Sequence, residues 1–331
     1  MSIMMQLAHR LSAIGLTIIV LASSPLQAQS PAAGFPSKPV RILVSSPPGG
    51  FPEVAARQLA HQLAPALGQP VLVESKPGAG GILMMETTAK SPPDGSTLAL
   101  CSMGELAVNP SLYERLPYDP IRDFAPVILL FSGPQLLLAH PTFPASSVPE
   151  LIRLAQAQPG KLLYGSSGIG FPPHLFTEQL KAIVGIDLVH VPYKGSPAAI
   201  TGLLAGEVSV MMEGTDLVLS HVKAGRMKAL AVNRDARLAA LPDVPTLDEA
   251  GVPGMARAWV GIIAPAGTPR AVVDRLNREF ARALESPEIR AYYEEAGRVT
   301  LAGSPDAMAE RIRNDIPKWR ELVKRIGIQP R

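Results

Sequence analysis

The sequence predicts an α/β protein of two lobes, each with a mainly parallel sheet flanked by helices. From Pro39 onward, short apolar runs alternate with helical patterns, which is typical of α/β architecture with parallel strands. Turns rich in glycine and other small residues follow several predicted strands in both halves of the chain. With 331 residues, 47% of them hydrophobic, the chain has enough material for one large domain or two ordinary domains with a packed core.

The first predicted strand and helix are joined by a turn that displays backbone amides. Val40 to Val44 is a short apolar, β-branched run of the kind that forms a buried parallel strand. Between it and a helical pattern beginning near Val54 lies Pro47-Pro48-Gly49-Gly50, whose glycines can adopt positive φ. The first turn of the helix points unpaired N–H groups at the same space. The amides of Gly49 and Gly50 could therefore hold a small anion, but on this stretch alone a simple chain-reversing turn is the favoured interpretation.

The same arrangement follows the second predicted strand. Val71 to Glu74 leads into a glycine-rich turn that ends at Gly80 and Gly81, and a helix follows to about Lys90. A third strand is predicted at Thr97 to Cys101. Because parallel strands point their carboxyl ends in one direction, we expect the turns after these strands to share one rim of the sheet.

A long apolar stretch from Phe124 to Ala139 marks the passage into the second lobe. Ser132-Gly133-Pro134 interrupts it, so the stretch is either two strands or one bent crossing. Ser147 and Glu150 then form a capping-box pattern that opens a helix. The second lobe repeats the design of the first. Its predicted strands end at turns over residues 166–170, 192–197 and 213–216.

After a strand at Ala229 to Val232, the chain is expected to return to the first lobe. The apolar run from Trp259 to Ala264 predicts the strand that crosses back. Three helices finish the chain, each preceded by a hydroxyl residue and proline that predict an N-cap. These pairs are Thr268-Pro269, Ser286-Pro287 and Ser304-Pro305. The predicted domains are residues 36–137 with 258–331 as lobe 1, and residues 138–257 as lobe 2.

The N-terminus has the pattern of an export signal. His9 and Arg10 precede an apolar run from Leu11 to Ala22, and small residues then lead to an expected cleavage after Ala28, which makes residues 1–28 a signal peptide. A retained anchor is the less favoured alternative, because a membrane span needs about 20 apolar residues. The lone Cys101 is predicted to be a buried small hydrophobe. An exported chain that needs no disulfide suits a bacterial periplasm.

Composition and motifs argue against several function classes. The net charge of +3 comes from 31 basic and 28 acidic residues without a basic run, so no nucleic-acid partner is expected. Neither a nucleophile elbow, a dinucleotide fingerprint nor a Walker loop is complete. The histidines are scattered and no cysteines pair, so we predict no metal, no cofactor and no catalytic residue. His174 and Glu213 each have both a structural and a ligand-binding interpretation.

Ordered motifs along the chain are similar to those of one known family. They include Pro47 to Gly50, Glu74 to Gly81, Pro93 to Gly95, Asn109 to Tyr113, Leu116 to Pro120, His190 to Gly195, Leu241 to Thr246 and Ala264 to Pro269. The chain resembles the solute receptors of tripartite tricarboxylate transporters, also called Bug receptors, over nearly its whole mature length. The resemblance implies a periplasmic-binding-protein fold (Venus-flytrap, type II-like) that captures a small organic acid between two lobes. It also implies a monomer that delivers the ligand to the membrane subunits of a transporter.

The resemblance further implies a ligand site made from the turns of both lobes. The matching positions are Pro48, Gly49, Gly50, Gly80, Gly81, Ser166, Ser167, His174, Tyr193 and Lys194. Receptors of this family hold a ligand carboxylate there through backbone amides, hydroxyl groups and ordered water.

Several positions depart from the family pattern and change the expected ligand. Apolar or bulkier residues stand where small or polar ones are common, namely Phe51, Glu53, Ile82, Met84, Leu106, Phe171 and Glu213. Of these, Phe51, Glu53, Ile82, Phe171 and Glu213 join the predicted ligand-binding residues. The changes favour an apolar or aromatic monocarboxylate over citrate. Glu53, Glu105 and Glu213 leave an amide or cationic ligand open, because acidic groups beside a cleft repel polyanions.

Two other function classes remain open on the sequence. A periplasmic hydrolase or isomerase could use the same two-lobed scaffold with Glu213 or His174 as its base, since fold alone does not determine function. A partner protein that reports the ligand to a membrane sensor differs from an uptake receptor only in what it docks against. A receptor releases its ligand unchanged, whereas an enzyme releases product.

Overall fold

The computed structural model describes residues 34–46, 51–295 and 297–330, with the Phe51 side chain excepted. The predicted signal peptide and the turn residues Pro48, Gly49 and Gly50 lie outside these ranges. Within the ranges, every helix is too short or too polar to cross a lipid bilayer.

The first sheet combines strands from both ends of the chain. Its six strands are β1 (Val40–Val44), β2 (Val71–Ser75), β3 (Thr97–Ser102), β4 (Phe124–Ser132), β10 (Trp259–Pro265) and β11 (Val299–Gly303). They lie in the order β11-β4-β10-β3-β1-β2. β1 pairs in parallel with β2 and β3, whereas β10 pairs antiparallel with β3 and β4, and β11 antiparallel with β4.

The second sheet is continuous in sequence. Its five strands are β5 (Gln135–Ala139), β6 (Leu163–Ser166), β7 (Val189–Pro192), β8 (Val210–Gly214) and β9 (Lys228–Asn233). They lie in the order β7-β6-β8-β5-β9, with β6 parallel to β7 and β8, and β5 antiparallel to β8 and β9. The predicted two-lobed α/β fold is confirmed. Both sheets are mixed, however, because β4, β5, β9, β10 and β11 run against their neighbours, so the expectation of mainly parallel sheets is corrected.

Helices cover the faces of both sheets. They are α1 (Phe51–Leu67), α2 (Ile82–Ala89), α3 (Asn109–Leu112), α4 (Val148–Ala157), α5 (Pro172–Val184), α6 (Ser196–Leu204), α7 (Thr215–Lys223), α8 (Arg270–Leu284), α9 (Pro287–Glu295) and α10 (Pro305–Arg325). A short 3₁₀ turn at Ala79–Gly81 precedes α2, and a π-helical turn at Gly104–Val108 precedes α3. The first lobe buries α1 and α8 on one face of its sheet through stripes that include Leu59, Leu63, Leu276 and Phe280.

The apolar stretch over residues 124–139 is two strands that lie in different sheets. β4 ends at Ser132 and β5 begins at Gln135, so Gly133 and Pro134 carry the chain from one sheet to the other. The chain returns before Trp259 at the start of β10. The sheet membership places the first crossing a few residues before the predicted boundary between residues 137 and 138.

Side-chain contacts also link the two lobes, in addition to the two segments that connect their sheets. The rings of Phe176 on α5 and Trp319 on α10 meet edge to face, with centroids 5.6 Å apart. On another side, the Arg298 guanidinium lies 2.9 Å from a carboxylate oxygen of Asp216 on α7. These contacts join elements that belong to different lobes. α10 and the segment before β11, both of the first lobe, therefore pack against the second lobe.

The predicted helix caps are partly confirmed. Ser147 accepts from the Glu150 amide at 3.4 Å, and Ser304 accepts from the Ala307 amide at 3.1 Å. Ser286 accepts from the Ile289 amide at 3.3 Å. The prediction that Thr268 caps α8 is wrong. Its hydroxyl donates to the Pro265 carbonyl at 2.7 Å, and the residue at the N-cap of α8 is Pro269.

Gly261 in β10 is required by the close packing of β4 and α10 around it. A Cβ atom there would lie 2.6 Å from the Ile128 carbonyl oxygen and 2.7 Å from Cε of Met308. We expect Gly261→Ala to lower the free energy of unfolding by about 1–3 kcal/mol, because overpacking a closed core forces its neighbours apart. Urea unfolding followed by tryptophan fluorescence measures this. Gly34→Ala, which adds a methyl group with no atom within 4 Å, is the control. Equal losses in the two variants would contradict the expectation.

Candidate functional site

A cavity of about 270 Å³ lies where the first lobe faces the start of α5 in the second lobe. The first lobe contributes Ser45, Gly78, Gly80, Gly81, Ser102, Met103, Gly104, Glu105, Val108, Asn109, Leu112 and Tyr113. The second lobe contributes Ile169, Gly170, Phe171, Pro172 and Leu175. A cavity of this size between two lobes suits a small organic molecule.

The rim predicted from the strand ends forms one side of the cavity. Ser45 follows β1, Gly80 and Gly81 follow β2, and Ser102 ends β3. Since β2 and β3 both pair in parallel with β1, their carboxyl ends bring these residues to one edge of the sheet. Ser102 is a site residue that the sequence reasoning missed, although the same strand-end rule applies to it.

Glu105 lies at the floor of the cavity and is held by hydrogen bonds from the rim. Ser45 Oγ donates to Glu105 Oε1 at 2.8 Å, and the Ser102 amide donates to Oε2 at 2.9 Å. The Ser102 hydroxyl also donates to Oε2. Only 7% of the residue is exposed. The sequence analysis named Glu105 as an acidic group near the cleft but did not include it among the ligand-binding residues.

Gly81 is required by its contact with Glu105. Its φ is +86°, in the left-handed region that favours glycine, and a Cβ atom would lie 2.6 Å from both Cγ and Oε1 of Glu105. Gly80 is held from the other side, because Asn109 Nδ2 donates to its carbonyl at 3.0 Å. The same amide group donates to the Tyr118 hydroxyl at 3.3 Å, and that hydroxyl donates to the Glu105 carbonyl at 2.6 Å. The turn and the floor are therefore one hydrogen-bonded unit.

The cavity walls are largely apolar. Ile169 and Phe171, from the turn before α5, are 58% and 54% exposed, and Phe171 lies against Gly168. Leu175 and Leu112 close the wall from the two lobes. Of the predicted apolar departures, Phe171 lines the cavity, whereas Ile82 does not. Met84 is fully buried in the core of the first lobe, so the expectation that it adds apolar surface to the cleft is wrong.

Several amides of the glycine turns are already used within the protein. The Gly81 amide donates to the Gly78 carbonyl at 3.0 Å, and the Gly170 amide donates to Nδ1 of His174 at 3.1 Å. The Gly168 amide donates to the Ser166 hydroxyl at 3.2 Å. The expectation of a cleft lined with uncovered amide donors is therefore corrected for these turns, because a tight turn satisfies its own N–H groups.

His174 belongs to a stack of three rings, and Ser166 contacts one of the other rings in that stack. The rings of His174 and His190 are stacked with centroids 4.2 Å apart, and that of Tyr164 lies 4.7 Å beyond His190. His190 Nε2 lies 2.6 Å from the Ser166 hydroxyl. Burial, together with the neighbouring His174, lowers the pKa of His190 to about 4. Burial also lowers the pKa of His174, so both rings are neutral at physiological pH.

The other predicted residues that the structure describes do not line the cavity. Ser167 is buried, and its carbonyl accepts from the Gly195 amide at 3.2 Å. The Tyr193 hydroxyl donates to Glu207 at 2.9 Å, and Lys194 is exposed. Leu106 is fully buried, Glu53 is buried with an ion pair to Arg57, and Glu213 is buried at the end of β8. Ligand contact by the predicted residues of this group stays a prediction.

Burial raises the pKa of Glu213, whereas hydrogen bonds from the Gly214 amide and the Ser196 side chain lower it.

Across the described ranges, no three histidine, cysteine or acidic residues come together in a group that could hold a metal ion.

Comparison with known proteins supports a shared architecture. The family model described as "Tripartite tricarboxylate transporter family receptor" matches residues 55–328. BugT of Bordetella pertussis is 34% identical over 325 residues, covering 98% of this chain and 99% of BugT. An R. palustris protein solved with adipate is 34% identical with a TM-score of 0.75, covering 90% of this chain and 100% of that one. MatC from Rhodopseudomonas palustris, with bound malate, is 31% identical with a TM-score of 0.72, covering 87% of this chain and 100% of MatC.

The lowered pKa of His190 predicts an acid-sensitive second lobe. The unfolded chain binds a proton at this histidine near pH 6.5, whereas the folded protein binds it only near pH 4. Its contribution to stability is therefore present above about pH 6.5 and is lost as the pH falls towards 4. Of the charged groups nearby, Glu178 opposes the lowering and Lys181 reinforces it.

The unfolding free energy of the parent protein should fall between pH 7.5 and pH 5 as His190 becomes protonated in the unfolded chain. In His190→Gln we expect this fall to be smaller by roughly 1–2 kcal/mol, after allowing for the partial solvent exposure of the ring. Urea unfolding at the two pH values measures the difference. His61→Gln on α1, outside the stack, is the control. The expectation fails if the pH dependence of the His190 variant equals that of the parent protein.

Proposed function

The chain belongs to the tripartite tricarboxylate transporter receptor family, and we propose that it captures a small organic acid in the cavity between its lobes. The observation that carries this proposal is the cavity itself, which joins the strand ends of the first lobe to the start of α5 in the second. Contacts from both lobes allow closure of the lobes to bury a ligand.

The preferred ligand is an apolar or aromatic monocarboxylate rather than citrate. The walls around Phe171, Ile169 and Leu175 offer apolar surface to a ligand body. Among the described lining residues there is no lysine, arginine or histidine to pair with the several charges of a polyacid. Burial of apolar surface then supplies the larger part of the affinity. The structures of the two R. palustris relatives contain the dicarboxylates adipate and malate. The cavity of this chain is less suited to a dicarboxylate, because its described lining residues include no cationic side chain.

A receptor is favoured over an enzyme by the positions of the two candidate bases. His174 Nδ1 accepts from the Gly170 amide, and Glu213 Oε1 accepts from the Gly214 amide at 2.9 Å. Neither side chain lines the cavity, so neither is placed to move a proton on a bound molecule. The family assignment supports a periplasmic receptor that delivers its ligand to the membrane subunits of a transporter. Cleavage after Ala28 stays a prediction from the sequence.

Mass spectrometry of the protein purified under native conditions tests the assignment. We expect a small organic acid to be released unchanged on denaturation, and to remain unchanged after incubation with fresh protein. Conversion of the released compound into a new product would instead favour a hydrolase or isomerase. Recovery of no solute, together with no binding of organic acids in calorimetry, would contradict the receptor proposal.

Phe171 gives a direct test of the apolar wall. We expect Phe171→Ala to weaken binding of an aromatic monocarboxylate such as benzoate about tenfold, because loss of the ring removes roughly 1.5 kcal/mol of apolar contact. Titration calorimetry measures the change. Ile183→Ala, another exposed apolar residue associated with α5 but outside the cavity, is the matched control. Tight citrate binding without binding of aromatic or branched monocarboxylates would show that the ligand class is wrong.

A further inference from the structure

We propose that Glu105 selects the ligand by accepting a hydrogen bond from it, so that the solute carries a primary amide or an ammonium group and no carboxylate at that end. This inference rests on the proposed function and names the solute class more closely. It assigns an ionisable specificity group to a cavity whose other described lining residues include no lysine, arginine or histidine.

Glu105 is fixed in place before any ligand arrives. Its side chain is enclosed between the backbone of Gly81, to which it approaches so closely that no Cβ could fit, and Ser102. Hydrogen bonds from Ser45 and Ser102 hold both of its oxygens, and the Tyr118 hydroxyl holds its backbone carbonyl. A side chain held this firmly cannot swing away from an unfavourable ligand group, so its charge acts on whatever occupies the cavity.

The carboxylate retains room for one more donor. A carboxylate offers about four acceptor positions on its two oxygens. Among the described residues, Oε2 accepts from both the amide and the hydroxyl of Ser102, whereas Oε1 accepts from Ser45 alone. The remaining position is therefore on Oε1, the oxygen beside Gly81, and Gly81 itself lines the cavity. An N–H group of a ligand would complete the set.

The donors around Glu105 are engaged, which makes the floor an acceptor surface. The hydroxyls of Ser45 and Ser102 point to the carboxylate, and the Asn109 amide group points to Gly80 and Tyr118. The Gly104 amide donates to the Ser102 hydroxyl at 3.0 Å. A second ligand carboxylate at this end would meet a like charge without a compensating cation or a spare donor from these groups. Such a juxtaposition in a partly desolvated site is strongly unfavourable.

Two matched ligand series test the inference by titration calorimetry. The linear series is hexanoate, adipate, adipate monoamide and ω-aminohexanoate. The aromatic series is benzoate, terephthalate, para-carbamoylbenzoate and para-aminomethylbenzoate. In whichever skeleton the cavity accepts, we expect the amide or ammonium member to bind at least about tenfold more tightly than the dicarboxylate. The unsubstituted monocarboxylate should fall between them.

The variant Glu105→Gln separates charge from shape. Glutamine can turn its oxygen to the Ser102 amide and its NH₂ group to Ser45, whose hydroxyl can accept as well as donate. We expect the variant to keep its circular dichroism spectrum and melting temperature within a few degrees, and to narrow the gap between amide or ammonium ligand and dicarboxylate to within about threefold. Glu279→Gln, a similarly buried glutamate on α8 with 6% exposure, should leave the gap unchanged.

The outcomes distinguish this inference from the receptor proposal. Adipate or terephthalate as the tightest member of its series would overturn the role of Glu105 while leaving the receptor assignment intact. An unchanged ligand order in a folded Glu105→Gln protein would overturn it as well. Failure of all eight compounds to bind, combined with no solute released from the native protein, would overturn both.

Discussion

The close approach of the Glu105 carboxylate to the Gly81 backbone is the contact on which the cavity depends. It brings the turn after β2 against the π-helical turn after β3, and it leaves no space for a side chain at position 81. A π-helical turn is rare and is found mostly at functional sites. Here the wider turn places Glu105 at the floor of the cavity and passes directly into α3, where Asn109 donates a hydrogen bond to the Gly80 carbonyl of the same glycine turn. The shape and the polarity of the floor therefore have one physical origin.

Much of the fold could be predicted because hydrophobic period and strand-end turns are local signals. Val40–Val44 and Trp259–Pro265 were readable as apolar runs, and the break at Gly133 and Pro134 marked the crossing between sheets. Strand direction was not readable in the same way. β10 inserts antiparallel between β3 and β4, and β11 adds a short, partly exposed edge with no strong apolar alternation. Helix α6, which contains Gly202, has weak intrinsic helix preference and is stabilised by packing, so its sequence carries little signal.

The site was harder to predict than the fold because side-chain roles depend on which donors remain unused. Gly80, Gly81 and Phe171 do line the cavity, as the positions of their turns suggested. His174 lies on α5 and Tyr193 in the turn after β7, as expected, but His174 Nδ1 accepts from the Gly170 amide and the Tyr193 hydroxyl donates to Glu207. Met84 was misplaced because α2 directs its side chain into the core of the first lobe, where it is fully buried. Glu105 was recognised from the sequence only as an acidic group beside the cleft, because its contacts with Ser45 and Gly81 join residues far apart in the chain.

The insertion of β10 between β3 and β4 also decides when the first lobe can form. Gly261 pairs with Cys101 on one side and with Leu129 on the other, so the central strand of this sheet is supplied only after the whole second lobe has been passed. Pairing across such a separation in sequence requires a large loop to close. The chain loses conformational entropy on closure before the new contacts stabilise it, which slows folding. The second sheet, by contrast, draws on one unbroken segment. The second lobe can therefore assemble early from a continuous segment, whereas the first lobe must wait for strands from both sides of that segment in the sequence. The cavity lies between the two lobes.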